Sequence, residues 1–308
     1  MRVRSVCGVA TAVVLTGLLA GCGSGAEGGG SAEDTGPEPE IGQIMAEPLD
    51  GAPVALPLDG YSVGTEESAV IFRAMGQATR TCMKSKGFDY DPGEVPVAPP
   101  PSPFDPGNLG LLSAAAAQQT GYHKPPRPAG SGQSATGSAA AGAVEQSDAY
   151  RQALTGAGRA AAGVADAKTD RGCAGEIERR FQAAGVKSNS GDLIGSLRGK
   201  AYDRTATDSR VKDAIAAWQS CMAGLGYHYS TPVQASSAAW PDPVSDREKA
   251  TAVADMTCKT QVKLLGTWYT VQTAYQKQFI GRNEVDLQTV KEVSAQRVSA
   301  ARKLLGQG

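Results

Sequence analysis

The sequence predicts a mainly α fold. It has two degenerate helical halves, each stapled by a disulfide, with long amphipathic C-terminal helices and a disordered insertion. Three observations carry this expectation. Apolar residues recur at helical spacings from about residue 65 to the C-terminus, and no βαβ alternation appears. Cys82-Met83-Lys84-Ser85-Lys86-Gly87-Phe88-Asp89-Tyr90 matches Cys221-Met222-Ala223-Gly224-Leu225-Gly226-Tyr227-His228-Tyr229, and both read C-M-x-x-x-G-[FY]-x-Y. Residues 91–142 are rich in Pro, Gly, Ser and Ala, a composition that cannot build a core of its own.

Residues 1–21 read as a targeting segment. Arg2 and Arg4 form a basic start, Val6 to Ala20 is apolar but short for a membrane span, and Leu19-Ala20-Gly21-Cys22 follows. This tetrapeptide resembles the lipobox of bacterial lipoproteins. The resemblance implies cleavage before Cys22, lipidation of its thiol with diacylglycerol (palmitate-type chains), and placement on the extracytoplasmic face of the cell membrane. A plain secretory signal with a chance cysteine is the other reading. Residues 22–48 form an acidic, Gly-rich tether: ten acidic residues and no Lys or Arg lie between Cys22 and Phe72.

The first half spans 49–187, with 91–142 as its low-complexity insertion, and the second spans 188–308. Thr65 is expected to cap a helix with Glu66 and Glu67 in its first turn and Ile71, Met75, Ala78 and Cys82 on one face. Cys173, Ile177, Phe181 and Ala184 mark a second helix, and Asp192 to Tyr202 a shorter one. Asp208 caps another, with Val211, Ile215, Trp218, Met222 and Leu225 inward. Ser245-x-x-Glu248 reads as a capping box opening a run to Ile280. A final helix follows Gly281-Arg282-Asn283, with Leu287, Val290, Ser294, Val298, Ala301 and Leu305 on its face, returning alongside that run. Within the insertion, Leu109 to Tyr122 is an island with a short helix through Ala114–Ala117, and His123 reads as an exposed linker residue.

Cys7 leaves with the signal and Cys22 takes the lipid, so Cys82, Cys173, Cys221 and Cys258 remain for disulfides. Asp170-x-x-Cys173 and Asp255-x-x-Cys258 share a context, which favours pairing within halves, Cys82–Cys173 and Cys221–Cys258. The rival pairing, Cys82–Cys221 with Cys173–Cys258, would join the halves. A zinc site lacks the usual close cysteine pair. In each C-M-x-x-x-G-[FY] segment the glycine is placed to end a helix in the left-handed C′ position, with the aromatic packing back.

Chemistry is thinly signposted. Leu, Ile, Val and Phe make up 17% of the chain, the net charge is −1, and there are two histidines, His123 and His228. Near-neutral charge argues against a nucleic-acid binder. Gly60-Tyr61-Ser62-Val63-Gly64 matches the nucleophile-elbow pattern, which requires a strand before Ser62 and a histidine base. Asp89-x-Asp91-x-Gly93 lacks the rest of a calcium loop. No catalytic, cofactor-binding or metal-binding residues are assigned, and no cofactor is expected.

The lipobox, the Leu56-Pro57-Leu58-Asp59-Gly60-Tyr61 segment, the C-M-x-x-x-G-[FY] repeats, Gly121-Tyr122-His123 and the Ala/Gly/Arg bias resemble uncharacterised secreted lipoproteins of high-GC Gram-positive (actinobacterial) cells. That resemblance implies an outward-facing surface protein of a single-membrane cell, beside envelope or export machinery; the anchor, the oxidised cysteines, the long amphipathic C-terminal helices and the lack of catalytic motifs point to a binding or accessory module with an envelope or transporter protein partner, not an enzyme. The alternatives are a solute-binding lipoprotein of a transporter and a serine hydrolase using Ser62.

Overall fold

The computed structural model describes residues 36–93, 104–105, 107–123, 147–156, 171–183 and 191–306. The targeting segment, Cys22, Asp170 and Ala184 lie outside the described residues. The fold is mainly α, as the periodicity predicts. The elements are α1 (Thr65–Ser85), β1 (Phe104–Asp105), β2 (Gly110–Leu111), α2 (Ala114–Thr120), α3 (Asp148–Thr155), α4 (Gly172–Ala183) and α5 (Gly191–Thr207). They continue with α6 (Ser209–Gly224), α7 (Pro232–Ser236), α8 (Asp246–Val262), α9 (Leu264–Arg282) and α10 (Glu284–Leu304). The two strands pair antiparallel, Phe104 opposite Leu111 and Asp105 opposite Gly110.

The cysteines pair within halves. Cys82 joins Cys173 and Cys221 joins Cys258, each with Cα atoms 5.7 Å apart. The two repeats end their helices in the same way. Phe88 N–H donates to Met83 O and Gly87 N–H to Lys84 O, while Tyr227 N–H donates to Met222 O and Gly226 N–H to Ala223 O. Gly87 and Gly226 both have φ of +85°. These are two copies of one Schellman stop, in which the left-handed glycine lets the following amide reach back five residues. Met83 and Met222, the residues that accept those bonds, are fully buried.

The cores divide by helix. A large one joins α5, α6, α8 and α9 with Leu109, Leu111, Ala117 and Tyr122. A smaller one joins Ala74 of α1, Ile177 and Phe181 of α4, and Val293, Ala300 and Ala301 of α10. Leu287 and Val290 at the start of α10 belong to the large core, so this helix spans both. Its main neighbour is α1, rather than the run preceding it.

Several expectations shift. The cap of α1 is Gly64, whose N–H donates to Glu67 Oε2 at 3.2 Å, and Thr65 is the first helical residue. Leu225 occupies the C-cap of α6 and is exposed. The run from Ser245 does not reach Ile280 unbroken: Lys263 adopts φ 56°, ψ 42° and separates α8 from α9. The reason lies in the N-terminal segment. Glu47 accepts from Gly266 N–H at 2.7 Å and Leu265 N–H at 3.3 Å, capping the new helix end. A Cβ on Gly266 would stand 2.4 Å from Met45 O, so glycine is what lets the segment pass.

The acidic stretch read as tether to residue 48 is therefore docked from Glu38 on. Glu38 accepts from Ser209 N–H and Oγ at 2.7 and 2.6 Å, and Met45 N–H donates to Thr270 Oγ1. Its carboxylates serve as partners for helix starts. Asp208, at the start of α6, is gripped by Arg210 Nε and Nη2 at 2.8 and 2.6 Å and accepts from Tyr275 at 3.1 Å. Burial works to raise this carboxyl, but the bonds from Arg210 hold it below the usual range.

The disulfides close loops of 91 and 37 residues. In the chain-entropy picture each contributes about 4 kcal/mol, a large share of a total of roughly 5–15 kcal/mol. Denaturant unfolding of the Cys221→Ala/Cys258→Ala variant is expected to show that loss. An unchanged midpoint would contradict it.

Candidate functional site: a buried polar network on α8

The strongest concentration of buried polar groups lies on the inner face of α8. Asp255 and Lys259 stand one helical turn apart, both fully buried, with Nζ to Oδ2 at 2.9 Å. Lys259 Nζ also donates to Leu111 O at 2.6 Å. Asp255 Oδ1 accepts from the Trp218 indole at 2.9 Å, and Oδ2 from the Tyr122 hydroxyl at 3.3 Å. The pair thus links α8 to α6, to β2 and to the turn after α2. Full burial pushes the Asp255 carboxyl upward, while the Lys259 ammonium and the two donors pull the other way. Burial, reinforced by the Asp255 charge, pushes the Tyr122 phenol far above its ordinary value.

At the start of the same helix, Ser245 Oγ accepts from Glu248 N–H at 3.2 Å, as a cap should. The Glu248 side chain does not complete the box. It is fully buried, and Oε1 accepts from Tyr122 N–H at 2.8 Å and lies 2.8 Å from His123 Nδ1. Its other oxygen, Oε2, has no hydrogen-bond partner among the described residues. His123 is therefore not an exposed linker residue; its side chain is two-thirds buried against this carboxylate. Gly121 makes the approach possible, since at φ 60° a Cβ would sit 2.8 Å from Glu248 Oε1. Tyr122 then stacks on Trp240 with ring centroids 5.3 Å apart.

The island within the insertion is consequently part of the large core. Leu109 and Leu111 are buried, and Ala114 N–H donates to Leu49 O at 2.9 Å. Chemically, the network is a lock: both Asp255 oxygens are taken by donors of the chain itself. The sequence reading missed Asp255, Lys259 and Glu248 as buried partners. The signal available was their spacing, because 248, 251, 255 and 259 share the helix face that also carries Cys258.

Other candidate residues lie apart from it. Ser62 ends a short 3-10 helix, Pro57–Tyr61, whose Leu58 is buried and donates its N–H to Gln276 Oε1. Arg198 Nη2 donates to Ser62 Oγ at 2.9 Å and to Asp59 Oδ1 at 2.7 Å. A guanidinium cannot accept the serine proton, and a 3-10 helix stands where the elbow needs a strand. His228 is exposed. Asp91 accepts from Gly93 N–H, an Asx turn within the expected calcium-like stretch, and no cluster of metal-ligating side chains occurs among the described residues. No helix among them is long and apolar enough to cross a membrane. No family model, curated protein or solved structure matches the chain.

Removing Lys259 alone leaves a buried, unpaired Asp255. Lys259→Met is expected to lose about 3–5 kcal/mol of stability. Asp255→Asn/Lys259→Met keeps an acceptor for Trp218 and should lose measurably less, a coupling that denaturant titration of the two variants reads out. Equal losses would contradict the pairing.

Proposed function

We propose that this protein is a membrane-anchored extracytoplasmic lipoprotein that acts by binding, as an accessory module of the cell envelope. The observation that carries the reading is the cysteine inventory. Cys82, Cys173, Cys221 and Cys258 are consumed by two disulfides, as suits an oxidising compartment. Once Cys7 leaves with the signal, Cys22 is the remaining thiol, and it stands at the end of a lipobox-like Leu19-Ala20-Gly21-Cys22. Two acyl chains on it would give stable attachment. From Glu38 on, the stretch read as tether is docked on the body.

A binding role fits a body whose most elaborate polar groups hold helices together. Among the described residues the geometry offers neither a base for Ser62 nor two α/β lobes of the kind a solute-binding lipoprotein would bring. The envelope partner would be a membrane or export protein met by the helical body.

Mass spectrometry of the membrane-extracted protein tests the anchor. A diacylglyceryl-modified N-terminal Cys22, with Cys22→Ser moving the protein out of the membrane fraction, is expected. An unmodified Cys22 with unchanged fractionation would overturn it. In-cell crosslinking from the helical body is expected to capture an integral envelope protein, and capture of none would remove the partner.

A further inference from the structure

A cleft of about 670 Å³ opens beside α1, with Phe72, Arg73, Arg80, Lys84, Pro92 and Leu305 in its walls. Its cations come from positions i, i+7 and i+11 of α1, a single stripe along the helix. The facing wall is the chain that follows the Schellman stop. That chain folds back and lays Pro92 on Gly76, where a Cβ would stand 2.6 Å from Pro92 Cβ. Glycine inside a helix costs about 1 kcal/mol relative to Ala, so this position gives up helix stability for the close approach. Arg80 is held in place: its Nε donates to Tyr90 O at 3.2 Å.

The charge in the cleft is only partly balanced. Asp91 lies 3.9 Å from Arg80 Nη2, a long contact between two well-exposed side chains. The Arg73 and Lys84 side chains have no hydrogen-bond or ion-pair partner among the described residues. At the same time Phe72 and Leu305 are half-buried apolar groups in the same cleft. A hydrophilic polyanion would be matched by cations alone; cations beside an aromatic ring, a proline and a leucine match a ligand with an anionic head and an apolar body.

We propose that this cleft binds an anionic phospholipid. Arg80 and Lys84, about one turn apart, take the phosphodiester oxygens through charge-assisted bonds, and Arg73, about 10 Å further along the helix at 1.5 Å per residue, donates to the ester carbonyls. Phe72, Pro92 and Leu305 receive the glyceryl and first acyl carbons. The choice of a lipid rests on the membrane-anchored reading above; the cleft and its cations do not.

Isothermal titration of the full chain with dihexanoyl-phosphatidylglycerol, kept below its micelle threshold, tests this. Dihexanoyl-phosphatidylcholine, glycerol phosphate and polyphosphate serve as comparisons. The anionic lipid is expected to bind about tenfold or more tighter than the zwitterionic one and tighter than glycerol phosphate. Arg73→Gln/Lys84→Gln is expected to weaken it by about tenfold or more. Gly76→Ala should also weaken it with every charge intact, because the Pro92 wall must move. Both variants alter exposed or helix-compatible positions, and far-UV dichroism is the check that they are folded.

Equal affinity for the two lipids, indifference to both variants, or polyphosphate binding as tightly as the lipid would overturn the proposal. Lipid binding with an unmodified Cys22 would uphold the cleft while removing the anchor, so the two readings fail separately.

Discussion

The Asp255–Lys259 pair is the interaction on which the rest of the fold depends. It sits where four pieces of chain meet: α8 itself, Trp218 of α6, the Leu111 carbonyl of β2, and Tyr122 after α2. Burying two charges costs several kcal/mol per ion after relaxation, and that cost is recovered only when geometry and further hydrogen bonds satisfy both. Here the carboxylate has three donors and the ammonium a backbone oxygen as well as the carboxylate. Apolar packing alone would tolerate slippage of the 107–123 segment along α8. A charge that must find its partner does not, so the pair fixes register. The Cys221–Cys258 disulfide lies on the same helix, one residue from Lys259, and holds α6 against α8 by a covalent route.

Other polar residues cap helix ends. Asp208, Ser245 and Thr231 cap by their own side chains, whereas α9 is capped from a distance by Glu47. Glu47 is half-buried, and burial pushes its carboxyl up against the pull of the two amides it accepts. Such long-range caps turn the segment after Glu38 into a strap across α6 and α9. The cleft beside α1 belongs to the smaller core, which α10 joins to the larger one.

Sequence reasoning succeeded where the determinants are local. The twin glycine stops, the Asp208 and Ser245 caps and the α-helical faces follow from spacings of a few residues, and the duplicated motifs favour the within-half cysteine pairing that the structure has. It failed where a distant segment decides the outcome. Nothing near Lys263 signals a break; Glu47 and Met45, more than 200 residues away, impose it, and Gly266 is the one local trace. Asp255 and Lys259 carry no local sign of burial, because an i, i+4 acid–base pair is common on exposed helix faces. The island at Leu109–Tyr122 was visible as a helix, but its burial depends on Glu248 and Trp240, far along the chain. His123 was misplaced for the same reason.

Native-state hydrogen exchange tests the central claim most directly, since it measures the opening free energy of each segment separately. If the buried pair locks the insertion's island into the core, the amides of Leu111, Ala117 and Tyr122 exchange only through the same large opening as those of α8. Exchange of these amides within seconds, while α8 remains protected, would show that the island docks loosely and that the pair does not hold it.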